Sequence, residues 1–422
     1  VGTTAGEPAG LGRSEHDEAR LDAVNVLDIL LLIAAAWFAV VGFRQGFVVG
    51  VLSVAGFLGG GLAAVYALPV LWDALTDNSP VSTAAAVVAV VVVIVCASVG
   101  QALTTHLGSR LRVYITWSPA RVLDATGGAL VNVAALLFVA WLIGSLLGAT
   151  TIPTIGKEVR TSKVLGEISE VLPDQADNWF ADFGSSLAQN GFPQVFSPFT
   201  DEPITDVRPP DPALANSAVA LRAKQSVVKV MGTARSCGKV LEGTGFVFDE
   251  RRVMTNAHVV GGVEEPTVQI GGEGRKYDAT VVLYDWRRDI AVLDVPDLKA
   301  PALQFADTDA QSGDGAIIAG FPENGPYDVR AARVRGRIAA SGPDIYHRGT
   351  VRRDVYSLYA TVRQGNSGGP LLTPDGKVYG VVFAKSLDDA ETGYALTVDE
   401  IRQDIVQGRA ANQQVGSDSC AL

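Results

Sequence analysis

Gln364–Pro370 reads QGNSGGP, and Leu371 and Leu372 follow it directly, so three glycines crowd one serine at the start of an apolar run. A merely flexible turn does not require glycine at fixed places on both sides of a serine. A nucleophile turn does, because acyl transfer needs backbone N–H groups aimed at the oxyanion that develops on the attacked carbonyl. Gly365 lets the chain turn so that its own N–H and that of Ser367 converge on one point, while Gly368 and Gly369 keep bulk away from the hydroxyl.

Such a serine needs a base within hydrogen-bond reach, and a carboxylate that holds the imidazole in the right tautomer. His258 stands in TNAHVV, just after the strand-like RVMT, and Asp289 stands in RRDIAVL at the head of another apolar run. The order His258, Asp289, Ser367 therefore supplies base, orienting acid and nucleophile. Asp285 and Asp294 are the neighbouring alternatives to Asp289, which the DIAVL context favours. His347, in the polar stretch DIYHRG, reads as a structural or surface histidine. No cofactor or metal is called for.

Around these motifs the pattern is β. SVVKV, TGFVF, RVMTN, TVQI, ATVVLYD, IAVLDV, GAIIAGF and VYGVVFA are short apolar runs, many alternating, separated by Gly, Asp and Pro. Regular short strands of this kind predict an all-β barrel or paired barrels. Ahead of them, Pro193, Pro198, Pro203, Pro209, Pro210 and Pro212 punctuate an extended tether. Asp211-Pro212 predicts an N-cap and first turn of a short helix running to about Lys224. Amphipathic patterns predict two further helices, over Lys157–Leu172 and Asp174–Gln189.

The first 150 residues differ in kind. They hold 6 Arg, no Lys and 9 acidic residues, and most of the apolar excess behind a mean hydropathy of +0.24. Val24–Gly42, Gly46–Leu68, Val81–Leu103 and Gly127–Ala149 are each long enough to cross a bilayer, which takes roughly 20 apolar residues. Gly42, Gly46 and Gly50 are spaced by four, and Gly56, Gly59, Gly60 and Gly61 follow, which predicts close helix packing, within one bundle or between copies in an oligomer, the first being the simpler reading. The tail before the first span carries Glu15, Asp17 and Glu18, so the span is read as retained rather than as a cleaved signal. Arg44 lies between spans one and two, and Arg110, Arg112 and Arg121 between three and four, so the positive-inside rule puts those loops in the cytoplasm. Everything after Ala149 is then expected outside. The net charge of −11 argues against nucleic-acid binding. Cys96 falls in the third span; Cys237 and Cys420, alone in the outer part, are expected to be bridged in that oxidising location. The expected division is a polar tail (1–20), four membrane helices (21–150), a partly helical tether (151–211) and a protease domain (212–422).

TNAHVV, RRDIAVL and QGNSGGPLL resemble the His, Asp and Ser motifs of the chymotrypsin-like serine proteases, and most closely their HtrA-like bacterial branch. The resemblance covers about 212–422 and implies two six-stranded barrels with the active site between them, and a substrate pocket near Phe383–Lys385 and Gly393–Ala395. No PDZ domain is expected, since few residues follow the serine motif. Asn366 stands where trypsin-type zymogens have the aspartate that pairs with a newly cut N-terminus, so that activation route is not expected. Joined to four membrane spans, the chain is similar to the actinobacterial membrane-anchored periplasmic serine proteases of the acid-resistance type, whose membrane part resembles the colicin V production proteins. That resemblance implies a multi-pass plasma-membrane endopeptidase acting on envelope proteins, with a domain disulfide and a role in acid or oxidative stress. Cell-wall hydrolases are expected substrates from location, and self-cleavage is expected in the tether between Gln194 and Asn216. The rival reading is a catalytically inactive envelope receptor or membrane scaffold, against which the three intact catalytic residues weigh.

Overall fold

The computed structural model describes residues 25–76, 83–114, 116–148, 153–172, 193–197, 200 and 202–420. The first part is four long helices: α1 Val26–Gln45, α2 Phe47–Thr76, α3 Thr83–Arg112 and α4 Ser118–Gly148. Each carries a window long and apolar enough to span a bilayer. Large apolar side chains such as Leu32, Ile33, Trp37 and Val99 point outward and are more than half exposed, as in a bundle whose solvent is hydrocarbon. The α4 helix starts ahead of the expected Gly127. Pro119, its second residue, occupies a position where a missing N–H costs nothing.

Glycine explains how the helices meet. A Cβ on Gly42 would lie 2.3 Å from Gly128 O, and one on Gly60 would lie 2.4 Å from Cys96 O, so α1 packs on α4 and α2 on α3 at backbone distance. Gly42, Gly46, Gly56 and Gly60 serve close packing within the bundle, whereas Gly59 has nothing within 4 Å. At its arginine-bearing end, buried Asp124 accepts from Arg112 Nε (2.8 Å) and from the free N-terminal N–H of Val48 (3.1 Å).

The opposite end carries two short helices, α5 Pro153–Arg160 and α6 Lys163–Val171, where a single helix over Lys157–Leu172 was expected. The break falls at Ser162, whose Oγ caps α6 by accepting from Leu165 N (3.2 Å). Val159 and Leu165 bury against Leu31 and Trp141, and the Asp28 carboxylate accepts from Lys163 N (3.1 Å). Both helices are thus part of the bundle end near the start of α1. The helix expected over Asp174–Gln189 and the tail 1–20 lie outside the described residues.

A 3₁₀ turn, Pro212–Asn216, and helix α7, Ala218–Ala223, open the β-rich part. The single expected helix is divided because Ser217 caps a new start, accepting from Ala220 N. Strands β1 Val227–Ala234, β2 Lys239–Asp249 and β3 Arg252–Thr255 lead into helix α8, Ala257–Val260, and β4 Thr267–Ile270, β5 Lys276–Asp278, β6 Thr280–Asp285 and β7 Ile290–Asp294 complete the first sheet. Its order is β5-β4-β1-β2-β3-β7-β6. The second unit, β8 Gly315–Gly320, β9 Asp328–Pro343, β10 Thr350–Tyr359, β11 Pro370–Leu372, β12 Val378–Lys385 and β13 Thr392–Thr397, is a closed barrel in the order β10-β13-β12-β11-β8-β9.

Six strands were expected in each barrel, and the first sheet has seven. Only Ala279, buried and bonded through its N–H to Pro266 O, separates β5 from β6. One bent strand therefore supplies both edges of the curled sheet, which makes it a barrel kinked at a single residue. Helix α9, Val398–Ala410, returns from the second barrel and sinks Ile401 and Ile405 into a core shared with Val292 and Ile290 of the first. The tail continues to Cys420, which is bridged to Cys237 as expected.

Candidate active site

His258 is placed by β3 and by the one-turn helix α8 that follows it, and Asp289 by the tight turn entering β7. Asp289 has φ +64°, a left-handed backbone that aspartate adopts more readily than most residues, and its side chain is fully buried. Its Oδ2 lies 2.7 Å from His258 Nδ1, while Oδ1 accepts from the backbone N–H of His258 (2.9 Å). With both oxygens engaged, the carboxylate fixes the ring and places the Nδ1 proton against Asp289, which leaves Nε2 as the unprotonated nitrogen. The turn is itself held: Asn256 Nδ2 donates to Asp289 O (2.7 Å).

Neither alternative carboxylate faces the histidine. Asp285 caps its own turn, accepting from Arg287 N and Arg288 N, and Asp294 pairs with Arg251 and Arg252. His347 lies in the turn between β9 and β10, its N–H bonded to Asp344 O.

Ser367 is 3% exposed and stands at the head of β11. Its neighbour Gly365 has φ +90°, and a Cβ there would meet Phe321 O at 2.3 Å, so only glycine fits. Three carbonyls of this turn are spent on donors outside it. Gln364 O accepts from Glu323 N (2.7 Å), Gly365 O from Thr244 Oγ1 (2.6 Å) and Ser367 O from Thr244 N (2.8 Å). The N–H groups of Gly365 and Ser367, by contrast, have no acceptor among the described residues. They are two unspent backbone donors on either side of Asn366. No hydrogen bond joins Ser367 to His258 among the described residues, a common looseness when no substrate is present.

Thr244 was not legible in the sequence as a site residue. Its Oγ1 also accepts from Phe321 N (3.0 Å), and its carbonyl accepts from Thr255 Oγ1 (2.7 Å), so one threonine of the first barrel fastens the serine turn of the second. Asn366, in place of the zymogen aspartate, turns its Oδ1 to Arg363 N (2.9 Å) and stabilises its own turn. The β12 strand lies next to the Ser367 turn, since Gly368 N donates to Val382 O (2.8 Å) and Val382 N to Gly369 O (2.9 Å). Phe383–Lys385 continue this strand and Gly393–Ala395 lie on β13 beside it, so the expected pocket residues share one wall. Val362 packs onto the bare face of Gly393.

A model of the trypsin-like peptidase domain matches residues 243–381, and one of the colicin V production protein matches 27–173. The chain is 38% identical to the serine protease Rv3671c of Mycobacterium tuberculosis over 93% of this chain and 98% of that one. It belongs to the same family, the membrane-associated, HtrA-like serine proteases. The crystal structure of the Rv3671c protease in its active form superposes with a TM-score of 0.51 at 46% identity, covering 54% of this chain and all of that one. A probable periplasmic DegP-like serine endoprotease of Chlamydia pneumoniae is 36% identical over 34% of this chain and 28% of its own length. This HtrA-like protease thus joins a trypsin-like double barrel to a helical membrane part.

Proposed function

We propose that Ser367 is the nucleophile, His258 the general base and then general acid, and Asp289 the group that orients the ring and stabilises the imidazolium. Ser367 Oγ attacks the peptide carbonyl as His258 Nε2 takes its proton, and the carbonyl oxygen becomes an oxyanion between the Gly365 and Ser367 N–H groups. His258 then gives the proton to the leaving amine, and water repeats the sequence on the acyl-enzyme. The observation that carries this reading is the unspent donor pair beside a histidine already locked by a buried carboxylate. Two preorganised donors in a dry site are worth several kcal/mol of barrier, on the order of 3 each.

We further infer that the double barrel (212–422) works at the outer face of the plasma membrane, held by the bundle (21–150) through the tether (151–211). Packing of α5 and α6 on the end of the bundle away from Arg112 supports this, because arginine-rich ends face the cytoplasm. Envelope proteins, cell-wall hydrolases among them, are then the substrates within reach, and the extended tether between Gln194 and Asn216 is the substrate for self-cleavage. A role in acid or oxidative stress follows from the resemblance of the sequence to the acid-resistance type of these proteases alone.

A fluorophosphonate probe tests the centre of this reading: it should label the wild type at neutral and acidic pH and leave Ser367→Ala unlabelled. Labelling that survives Ser367→Ala would place the nucleophile elsewhere. Fragments of the tether or of envelope proteins that persist with Ser367→Ala belong to another protease.

A further inference from the structure

The wall beside the nucleophile is not completed by the double barrel alone. After Lys385 the chain leaves β12, turns through residues 386–391 and returns as β13 carrying Gly393 and Tyr394. Ser386 organises this turn, its Oγ accepting from Asp388 N (3.0 Å) and Asp389 N (2.9 Å). The hydroxyl proton of Ser386 goes to Glu202, which lies upstream of every strand. The same carboxylate accepts from Leu387 N (3.1 Å) and from the phenol of fully buried Tyr394 (2.9 Å).

We propose that Glu202 is a positioning residue for substrate binding: a carboxylate from the tether that sets the shape of the pocket wall formed by β12, β13 and the turn between them. The inference rests on the proposed roles of Ser367 and of the pocket residues. Three donors from both ends of the turn converge on this one side chain, and no other carboxylate meets Ser386 and Tyr394 together among the described residues. Phe196, six residues earlier in the tether, packs edge-on against the Tyr394 ring at 5.5 Å, and Thr205 O accepts from Arg335, which also pairs with Asp389 of the turn. Arg160 of α5 reaches the turn as well, donating from Nε to Asp388 (3.0 Å). The tether is thus built into the wall at several successive points. Its carboxylate is half-buried, and partial desolvation raises its pKa while the three donors lower it, so the contact is not a fully screened surface charge.

The consequence is separable from catalysis. Glu202 touches neither His258 nor Ser367, so removing it should change how a peptide is held and not how fast a small acylating reagent finds the serine. The test uses the full chain in detergent, with diisopropyl fluorophosphate for the serine and chromogenic peptides differing at the residue before the scissile bond. For Glu202→Ala, KM should rise about tenfold and the preference among peptides should change, the scale of losing hydrogen bonds to a half-buried acceptor. Labelling should stay within about twofold of wild type, and Glu202→Gln, which retains an acceptor for Leu387 N, should recover most of the KM. Tyr394→Phe deletes one of the three contacts and should move KM the same way by less. Unchanged KM and preference in Glu202→Ala would overturn the proposal, as would equal losses of labelling and hydrolysis that Glu202→Gln does not rescue. A wild type that resists labelling instead sinks the Ser367 reading, and this inference with it.

Discussion

Replacing Asp289 by asparagine should leave the fold standing and nearly silence the enzyme. Asparagine tolerates the +64° backbone that residue 289 requires, and its carbonyl oxygen can still accept from His258 N, a donor with no other acceptor among the described residues. Its amide nitrogen must then face His258 Nδ1 at the position now 2.7 Å away, and an N–H there demands that Nδ1 be the acceptor. The ring proton moves to Nε2, the atom required as base, and Ser367 loses its proton acceptor. Exchange of this kind lowers turnover by about 10⁴, or about 5.5 kcal/mol of barrier. Steady-state hydrolysis of a chromogenic peptide measures the loss, and thermal unfolding of the same preparations should show a midpoint within a few degrees of wild type. A loss smaller than tenfold in a well-folded variant would mean that Asp289 does not set the tautomer. A collapse of the midpoint would mean that it acts mainly as a buried structural acceptor.

Other substitutions probe neighbouring parts. Gly365→Ala forces a Cβ against Phe321 O at a φ of +90°, so the turn must shift and kcat should fall by about 10²–10³ with a smaller effect on KM; unchanged kcat would remove its N–H from the oxyanion site. Cys237→Ser opens a bridge spanning 183 residues, and chain entropy sets an upper figure of about 5 kcal/mol for the loss; equal denaturation midpoints for variant and wild type would show the bridge to be energetically idle. Burial raises the Glu202 carboxyl above 4.5, so the folded state holds its proton more tightly than the unfolded one. Its contribution is then fully present below that unfolded value and lost as pH rises through the higher folded one. Wild type should therefore gain stability relative to Glu202→Gln as pH is lowered from neutral toward 4.5 in melting experiments; a gap moving the other way would contradict the sign.

The chemistry was more legible than the scaffold that holds it. His258, Asp289 and Ser367 could be read because each sits in a short motif whose local shape is dictated by its neighbours, and the β runs because their alternation is apolar. Two long strands went unread: β9 and β10 carry Arg330, Arg333, Arg335, Arg337, Arg352 and Arg353, and cationic side chains break the apolar alternation. Several of these arginines are spent on carbonyls and carboxylates, such as Arg353 on Arg287 O (2.9 Å) and Arg337 on Asp354 (2.8 Å), a use that only tertiary structure reveals. Thr244 and Asn256 were invisible for a related reason. They act on backbone atoms of residues far away in sequence, and nothing in GTGF or TNAH specifies those partners. Glu202 is the extreme case, a lone acid in a proline-rich stretch whose three donors lie more than 180 residues downstream. ATVVLYD had marked β6, but the seventh strand, β5, before the bend at Ala279, went unread because Lys276–Asp278 carries two charges in three residues.

Arg160 is 3% exposed and Asp388 nearly as well covered, and their pairing fastens the protease to the membrane part at a second place besides the covalent chain. With the bundle in the bilayer as proposed, a catalytic unit so fastened would sweep a thin layer parallel to the lipid rather than sample the volume around it. Encounter with substrate then becomes a problem in two dimensions, in which a peptide bond is cut according to how far above the lipid it is presented as well as by what flanks it. Selectivity of that sort is a ruler, and moving the same barrels into free solution would erase it without altering a single atom of the cleft.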